Sequence, residues 1–158
     1  MPAHTILVIG GGHVGRAVVD LADGLGYRTI VVDDRPERMT EDEMPNAGQR
    51  LVGSITEMLA DLEVTEDTSV AVVTRSVDKD AEAIPPLLKT AAGYIGVMGS
   101  ERRWREVRER LAGAGLDEAD LARIQTPIGL DIHAETLEEI AVSILGEIIR
   151  MLGATTGD

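Results

Sequence analysis

The stretch from Ile6 to Pro36, ILVIGGGHVGRAVVDLADGLGYRTIVVDDRP, constrains the fold more than any other part of the chain. An apolar run precedes the motif Gly10-x-Gly12-x-x-Gly15 and an amphipathic run follows it, so the glycines fall where a strand turns into a helix. Gly10 permits the tight turn, Gly12 leaves room for a pyrophosphate, and Gly15 lets the helix lie close to the strand. The stretch predicts a dinucleotide-binding turn, and the alternative is a tight strand-to-helix turn without a ligand.

Asp33 closes the second strand of this stretch. A carboxylate at that place accepts hydrogen bonds from the hydroxyls of the adenosine ribose, and its charge repels a 2′-phosphate, which favours NAD over NADP. Arg35 favours NADP instead, because a guanidinium at that position binds a 2′-phosphate, so both cofactors remain possible. The alternatives are a solvated carboxylate at a strand end and, for Asp34 to Pro36, an ordinary turn.

The whole chain alternates between short apolar runs and stretches with helical periodicity. The predicted strands are Thr5–Ile9, Thr29–Asp33, Arg50–Val52, Val70–Thr74, Tyr94–Met98 and Arg123–Gln125. The predicted helices are Val14–Leu25, Ile55–Leu62, Ala81–Ala92, Arg102–Ala112 and Thr136–Leu152, and polar Glu37–Gln49 is expected to be a mobile loop. The alternation predicts an α/β fold with a doubly wound parallel β-sheet, Rossmann-like, as one domain over residues 1–158.

The last predicted helix, Thr136–Leu152, has a broad apolar face. That face comprises Leu137, Ile140, Ala141, Ile144, Leu145, Ile148 and Ile149. A helix of this kind closes a sheet or pairs with a second copy, and its width favours a homodimer.

Charge and composition exclude several classes of partner and site. With 28 acidic against 15 basic residues the net charge is -13, so the surface repels nucleic acid and anionic lipid. No apolar run is long enough for a bilayer and the N-terminus lacks a signal peptide, which predicts a cytoplasmic protein. The chain has no Cys, Lys79 and Lys89 are its only lysines and Phe is absent, a balance that suggests halophilic adaptation.

Four segments carry a resemblance to a known family. They are Val32–Pro36 (VDDRP), Tyr94–Arg103 (YIGVMGSERR), Thr126–Ile132 (TPIGLDI) and Glu138–Leu145 (EEIAVSIL). Together they resemble the C-terminal domain of the XdhC/CoxI family, accessory maturation factors for xanthine dehydrogenase and carbon monoxide dehydrogenase, over nearly the whole chain. The resemblance implies a Rossmann domain in a protein that handles molybdenum cofactor as a chaperone and delivers it, sulfurated, to a molybdenum hydroxylase client.

The chain departs from the family pattern in three respects. Full-length members usually carry a separate N-terminal domain, so this chain is expected either to work alone or to pair with a separate protein that contains that domain. Thr74-Arg75-Ser76 stands where the family often has Thr-His, and Thr136-Leu137 where it often has Thr-Pro.

Ligands bind at the carboxyl end of a parallel sheet, where the turns Gly10–Val14, Thr74–Asp80, Gly99–Arg103 and Pro127–Asp131 are expected to converge. Ser100 is expected to cap the next helix, and Arg102 and Arg103 to face an anion or, alternatively, to pair with Glu101 or Glu106. The predicted cofactor-binding residues are Gly10, Gly11, Gly12, His13, Val14, Gly15, Asp33, Asp34, Arg35, Thr74, Arg75, Gly99, Ser100, Arg102, Arg103, Pro127, Gly129 and Asp131.

No catalytic residue and no metal ligand is predicted, because His4, His13 and His133 share no ligand spacing and no nucleophile is accompanied by a base. His133 is interpreted as a surface imidazole in preference to a cleft residue. The sequence therefore favours a cofactor-handling accessory protein without turnover of its own. The alternatives are an NAD(P)-dependent oxidoreductase, which the glycine motif alone supports, and a regulatory nucleotide sensor of the potassium-transport type.

Overall fold

A six-stranded sheet forms the centre of the molecule. The structure is a computed structural model that describes residues 4–156, with the side chains of residues 4–153. Its strands are β1 (Thr5–Ile9), β2 (Arg28–Asp33), β3 (Gln49–Val52), β4 (Thr68–Val72), β5 (Tyr94–Val97) and β6 (Ile124–Gln125). They lie in the order β3-β2-β1-β4-β5-β6, and every neighbouring pair is parallel. This is the Rossmann strand order, so the predicted doubly wound α/β fold is confirmed.

Helices cover both faces of the sheet. They are α1 (His13–Gly24), α2 (Ile55–Leu59), α3 (Val77–Leu88), α4 (Glu101–Gly113), α5 (Glu118–Leu121) and α6 (Leu137–Thr156). Successive side chains of a strand point to opposite faces, so Leu7 and Ile9 of β1 pack with α2, α3 and α4 while Ile6 and Val8 pack with α1 and α6. The central strands are therefore apolar on both sides, as parallel strands are when helices cover both faces.

Helix α3 differs from its predicted bounds. It runs over Val77–Leu88, whereas the apolar spacing predicts Ala81–Ala92. The Ser76 hydroxyl accepts a hydrogen bond from the backbone N–H of Lys79 at 3.2 Å and starts the helix one turn earlier. Because that first turn is polar, apolar periodicity does not reveal it.

Two short helices also depart from the sequence prediction. Helix α5 was not predicted, and it begins at a capping box in which Asp117 and Asp120 each accept the other's backbone N–H. Helix α2 ends at Leu59, short of the predicted Leu62, and the chain continues there as a turn. Each of these helices buries one apolar residue, Ile55 or Leu121, and each is too short for apolar spacing to define its bounds.

The segment predicted as a mobile loop is anchored to the core. A short 3-10 helix, Pro36–Arg38, begins it. Met39 and Met44 are buried, with 7% and 1% of their surface exposed, and the Arg50 guanidinium donates to the Met44 carbonyl at 3.0 Å. The polar composition of Glu37–Gln49 concealed these two apolar anchors.

The apolar face of α6 is used mainly within the chain. Ala141, Ile144, Leu145 and Ile148 are buried against α1 and the sheet. Leu137, Val142 and Ile149 are partly exposed, and we call these three residues the exposed α6 residues. The width of the face therefore no longer argues for a homodimer. Within residues 4–156, no helix combines the length and the apolar composition needed to cross a membrane.

Candidate functional site

A pocket lies at the carboxyl ends of β1, β2, β3 and β4. The strand order reverses between β1 and β4, and open parallel sheets bind ligands in the crevice at such a reversal. The pocket is lined by Ile9, Gly10, Val32, Asp33, Asp34, Gly53, Ser54, Ile55, Thr74, Arg75, Lys79, Glu82 and Ala83. We call it the switch-point pocket.

The glycine loop beside this pocket has the geometry that its spacing predicts. Gly10 has φ +118°, and a Cβ there would meet the Val73 carbonyl oxygen at 2.6 Å. A Cβ on Gly15 would lie 1.9 Å from the Gly10 carbonyl oxygen, so only glycine allows α1 to lie this close to β1. Gly12 is different, because the nearest atom to its Cβ position is Arg35 Nη2 at 4.0 Å. The first and third glycines are required by packing, and the middle one leaves space beside the backbone.

The beginning of α1 is suited to an anion. Gly12 is its N-cap residue, so no side chain caps the first turn, and that turn, which includes His13 and Val14, contains no acidic residue. The early N–H groups of a helix lack intrahelical acceptors and carry the positive end of the helix dipole. The exposed His13 and the half-buried Val14 therefore present backbone N–H groups at this position.

Asp33 lies under the glycine loop with 2% of its side chain exposed. Its Oδ2 accepts from the Gly11 N–H at 2.7 Å and from Arg35 Nη2 at 2.9 Å. Its Oδ1 accepts from the backbone N–H of Arg35 at 2.8 Å and from Arg35 Nε at 2.9 Å. Burial opposes the charge, but the hydrogen bonds from Arg35 and Gly11 outweigh it and hold the pKa of Asp33 below its usual value.

These contacts fill the Asp33 carboxylate. A carboxylate has about four acceptor positions, and the backbone and side chain of Arg35 together with Gly11 use that number. A sequence-based preference for NAD required Asp33 to accept from a ribose diol. In this arrangement the carboxylate has no acceptor position left for it.

A second group of charges lies at the rim of the pocket. Asp34 is 2.5 Å from Lys79 Nζ and 3.1 Å from Arg75 Nη1. Hydrogen bonds from Lys79 and Arg75 hold the pKa of Asp34 well below its usual range. Arg75 Nη1 also lies 4.0 Å from Asp33 Oδ1, so the two carboxylates and their cations form one connected cluster.

Arg103 does not face an anion site, which corrects the sequence prediction. Its Nε donates to Asp80 Oδ2 at 2.9 Å and its Nη2 donates to the Thr74 carbonyl at 3.0 Å. Asp80 is fully buried, and its Oδ1 accepts from the Thr74 hydroxyl at 2.6 Å. Burial raises the pKa of Asp80, although Thr74 and Arg103 both act against the increase. Arg103 is therefore an internal partner that ties α4 to α3.

The other residues at the start of α4 behave differently from Arg103. The Ser100 hydroxyl accepts the Arg103 backbone N–H at 3.1 Å, which confirms the predicted cap. Gly99 has φ +141° and lies beneath the Arg103 stem. Arg102 is 88% exposed and lies 3.9 Å from Glu106, which matches the alternative of a solvated pair.

The segment Pro127–Asp131 does not join the switch-point pocket, contrary to its predicted convergence. Gly129 packs on α6, where its N–H donates to the Glu147 carboxylate at 3.3 Å, and Pro127 lines a separate depression with Ser100. Asp131 is 92% exposed and lies 3.9 Å from the exposed His133. Of the four turns expected to converge, Gly99–Arg103 meets Thr74–Asp80 through Arg103, whereas Gly129 of the Pro127–Asp131 turn packs on α6.

A buried pair holds that segment in place. The Tyr94 hydroxyl donates to the Glu147 carboxylate, and both residues are largely buried. Burial, together with the Glu147 carboxylate, raises the pKa of Tyr94. This pair joins β5 to α6 beneath Gly129.

Lys79 and the turn Gly53–Ile55 were not predicted as site residues, yet they line the pocket. Lys79 lies within the turn Thr74–Asp80, and recognition of the Ser76 cap would have placed it on the first turn of α3. The Gly53–Ile55 turn carried the signal of a glycine directly after a short strand.

Comparison with known proteins decides the family. The sequence profile of the XdhC Rossmann domain matches residues 6–148. The chain belongs to the XdhC family. The XdhC-type resemblance inferred from the sequence motifs is confirmed, and it extends over nearly the whole of the described fold.

Named relatives agree with this assignment. A protein of Bacillus subtilis, named as a probable subunit of xanthine dehydrogenase, is 30% identical over 149 residues, which cover 94% of this chain and 43% of that protein. The "Uncharacterized protein YqeB" of Escherichia coli is 30% identical over 153 residues, which cover 96% of this chain and 28% of that protein. This XdhC-type chain therefore spans less than half the length of these relatives.

A solved structure shows the same arrangement. A crystal structure of a xanthine dehydrogenase from Bacillus halodurans superposes with a TM-score of 0.83 at 28% identity. The match covers 97% of this chain and 44% of that one. The XdhC-type fold described here is therefore also found within a longer protein.

Proposed function

We propose that this XdhC-type domain binds an adenine nucleotide, NAD or NADP, in the switch-point pocket and acts as an accessory factor for a molybdenum hydroxylase. The observation that carries the nucleotide site is the glycine loop and uncapped α1 at the reversal of strand order, beside a pocket lined by the ends of four strands. The pyrophosphate would lie on Gly12 and the first turn of α1. The adenosine would extend towards β2 and β3.

The residues present fit such a group at the phosphate end. The open space at the Gly12 Cβ position admits a pyrophosphate, and the first-turn N–H groups supply donors. When bound, NAD or NADP would supply either a redox centre or a ligand that signals cofactor state. Hydride transfer to a substrate is not part of the proposal.

Gly12→Asp tests the nucleotide site without straining the backbone. Gly12 has φ -81°, which any residue adopts, and its Cβ position is open. We expect titration calorimetry to show binding of AMP, ADP, NAD or NADP to the wild-type chain and loss of that binding in Gly12→Asp, because the new carboxylate repels the phosphate. Gly24→Asp is the matched control, since Gly24 lies on the same helix with nothing within 4 Å of its Cβ position. Absence of binding for all four nucleotides would refute the site.

The accessory role rests on family membership and on the names that the relatives carry. Deletion of the gene in its own host, followed by assay of xanthine and aldehyde oxidation in cell extract, tests it directly. We expect inactive hydroxylase with incompletely sulfurated cofactor, rescued by the wild-type gene and not by Gly12→Asp. Full hydroxylase activity in the deletion strain would contradict the role.

A further inference from the structure

The end of the switch-point pocket near Asp33, where the ribose of a bound nucleotide would lie, has unused hydrogen-bond donors. The Asp33 carboxylate has no unused acceptor position. The four contacts from Gly11 and Arg35 occupy the carboxylate. Arg35 uses its Nε and Nη2 on Asp33, and its Nη1 has no described protein partner within residues 4–156. The group that would complement this end is therefore rich in acceptors.

Two further cations extend the same rim. Arg75 Nη1 and Arg35 Nε lie 4.0 Å and 2.9 Å from the same oxygen, Asp33 Oδ1. Lys79 pairs with the neighbouring Asp34. The exposed fraction of the side chain is 25% for Arg35, 43% for Arg75 and 32% for Lys79. Guanidinium groups bind phosphate in a fork geometry, and an ammonium adds a point charge.

The placement of these cations is unusual for so acidic a chain. The sequence has 15 Lys and Arg residues against 28 Asp and Glu, and three of those cations meet at one rim. Asp34 and Glu82 moderate the local charge, and Glu82 lies 3.6 Å from Lys79. Asp34 accepts from Arg75 Nη2 at 3.3 Å and pairs with Lys79, so a bound phosphate would share these donors with the carboxylates of the rim.

We propose that the switch-point pocket selects a nucleotide whose ribose carries a phosphate monoester, as NADP does, over the unphosphorylated form. Arg35 and Arg75 hold the phosphate and Lys79 adds charge, while Asp33 serves to fix Arg35 and does not contact the ribose. This proposal rests on the nucleotide site proposed above and specifies its ligand. It also reverses the preference for NAD that Asp33 alone predicts.

Calorimetry with three matched ligands tests the selectivity. AMP is the reference, and adenosine 2′,5′-bisphosphate and 3′,5′-bisphosphate each add one phosphate to the ribose. We expect at least one bisphosphate to bind roughly tenfold or more tightly than AMP, because a charge-assisted hydrogen bond contributes that much. The two bisphosphates distinguish an NADP-like ligand from one with a 3′-phosphate.

Salt and variants identify the source of the preference. Between about 0.15 M and about 1 M salt the Debye length falls from about 8 to about 3 Å, which screens charge interactions. We therefore expect the ratio of bisphosphate affinity to AMP affinity to fall at the higher salt concentration. Circular dichroism in both buffers verifies that the chain is folded. Arg75→Gln and Lys79→Gln should weaken binding of the preferred bisphosphate more than binding of AMP, so that the preference falls severalfold. Lys89→Gln is the matched control, because Lys89 is the C-cap residue at the opposite end of α3 from Lys79.

Arg35→Ala gives a stronger prediction. Removal of its side chain returns acceptor positions to Asp33, so the preference should shift towards AMP and NAD. If that variant does not fold, Arg75→Gln and Lys79→Gln still test the selectivity.

Equal binding of AMP and both bisphosphates, or tighter binding of AMP, would refute the selectivity but not the nucleotide site. Absence of binding for every ligand would overturn both.

Discussion

Arg103→Met is the most informative single change for the charge network beneath the switch-point pocket. Methionine keeps an unbranched stem over Gly99 and removes the guanidinium that pairs with Asp80 at 2.8 Å. Asp80 is 0% exposed, so its carboxylate would lose its only described cationic partner within residues 4–156 while remaining buried. The Thr74 hydroxyl would be left as its side-chain hydrogen-bond donor.

The expected cost follows from burial. Removal of one partner from a buried ion pair costs about 3 to 5 kcal/mol, and we expect about 3 kcal/mol here because Arg103 keeps 22% of its side chain exposed. A domain of ordinary stability unfolds with about 5 to 15 kcal/mol, so this loss is a large share. Arg102→Met is the control, since Arg102 is 88% exposed and its removal should change stability by less than about 0.5 kcal/mol.

The pH dependence identifies the mechanism. Burial raises the pKa of Asp80 in the folded state, so between its ordinary pKa and that raised value the folded chain holds more protons than the unfolded chain. Stability from this group therefore falls as pH rises through that interval. Without Arg103 the folded pKa rises further, so the cost of Arg103→Met should be small in acid, where Asp80 is protonated, and largest near neutral pH.

Urea unfolding followed by circular dichroism at several pH values measures both effects. Asp80→Asn combined with Arg103→Met should recover part of the loss at neutral pH, because the double variant buries no unpaired charge. A cost below about 1 kcal/mol for Arg103→Met at neutral pH would show that the pair behaves like a surface contact. A cost independent of pH would refute the role of the buried charge.

Three further predictions concern other parts of the molecule. Gly15→Ala should destabilise the chain by more than about 2 kcal/mol in urea unfolding, because its Cβ would overlap a carbonyl oxygen at 1.9 Å, whereas Gly24→Ala should be neutral or stabilising. Tyr94→Phe should cost about 1 to 3 kcal/mol by the same assay, because it leaves the buried Glu147 carboxylate without that donor, and an unchanged stability would contradict the pair. The homodimer remains a prediction that rests on the exposed α6 residues, and sedimentation equilibrium that shows only monomer at micromolar concentrations would remove it.

Sequence predicted the parts of the fold that depend on local pattern. The glycine loop is an example, because its turn and its helix packing depend on residues within one strand-to-helix turn, and the geometry at Gly10 and Gly15 confirms both. The Ser100 cap is another, since capping involves a backbone N–H three residues on. Apolar spacing does not reveal the start of α3, although the Ser76 cap is the same kind of local signal as the Ser100 cap.

The pairing of charges was not predictable in the same way. Arg103 meets Asp80 because α4 packs beside α3, and nothing in either local sequence specifies that contact. Helix-dipole reasoning assigned Arg103 to an anion, whereas a buried carboxylate on the neighbouring helix was the stronger partner. Arg102, one residue earlier, points into solvent. Adjacent arginines at a helix start therefore have different roles, which depend on the face each occupies.

Asp33 shows how local and long-range contacts combine at the candidate site. An acid at the end of β2 is the expected ribose acceptor of a dinucleotide fold, and its place in the sequence is as predicted. Arg35, two residues later, folds back on it through two side-chain hydrogen bonds, and Arg75 from the β4 turn approaches the same oxygen. An Asp33 carboxylate with unused acceptor positions would bind the ribose of NAD. In this structure its acceptor positions are used by Arg35 and Gly11, and the carboxylate holds Arg35 in place. If the proposed site binds a nucleotide, we expect the occupancy of the Asp33 carboxylate, and not its mere presence, to decide between NAD and NADP.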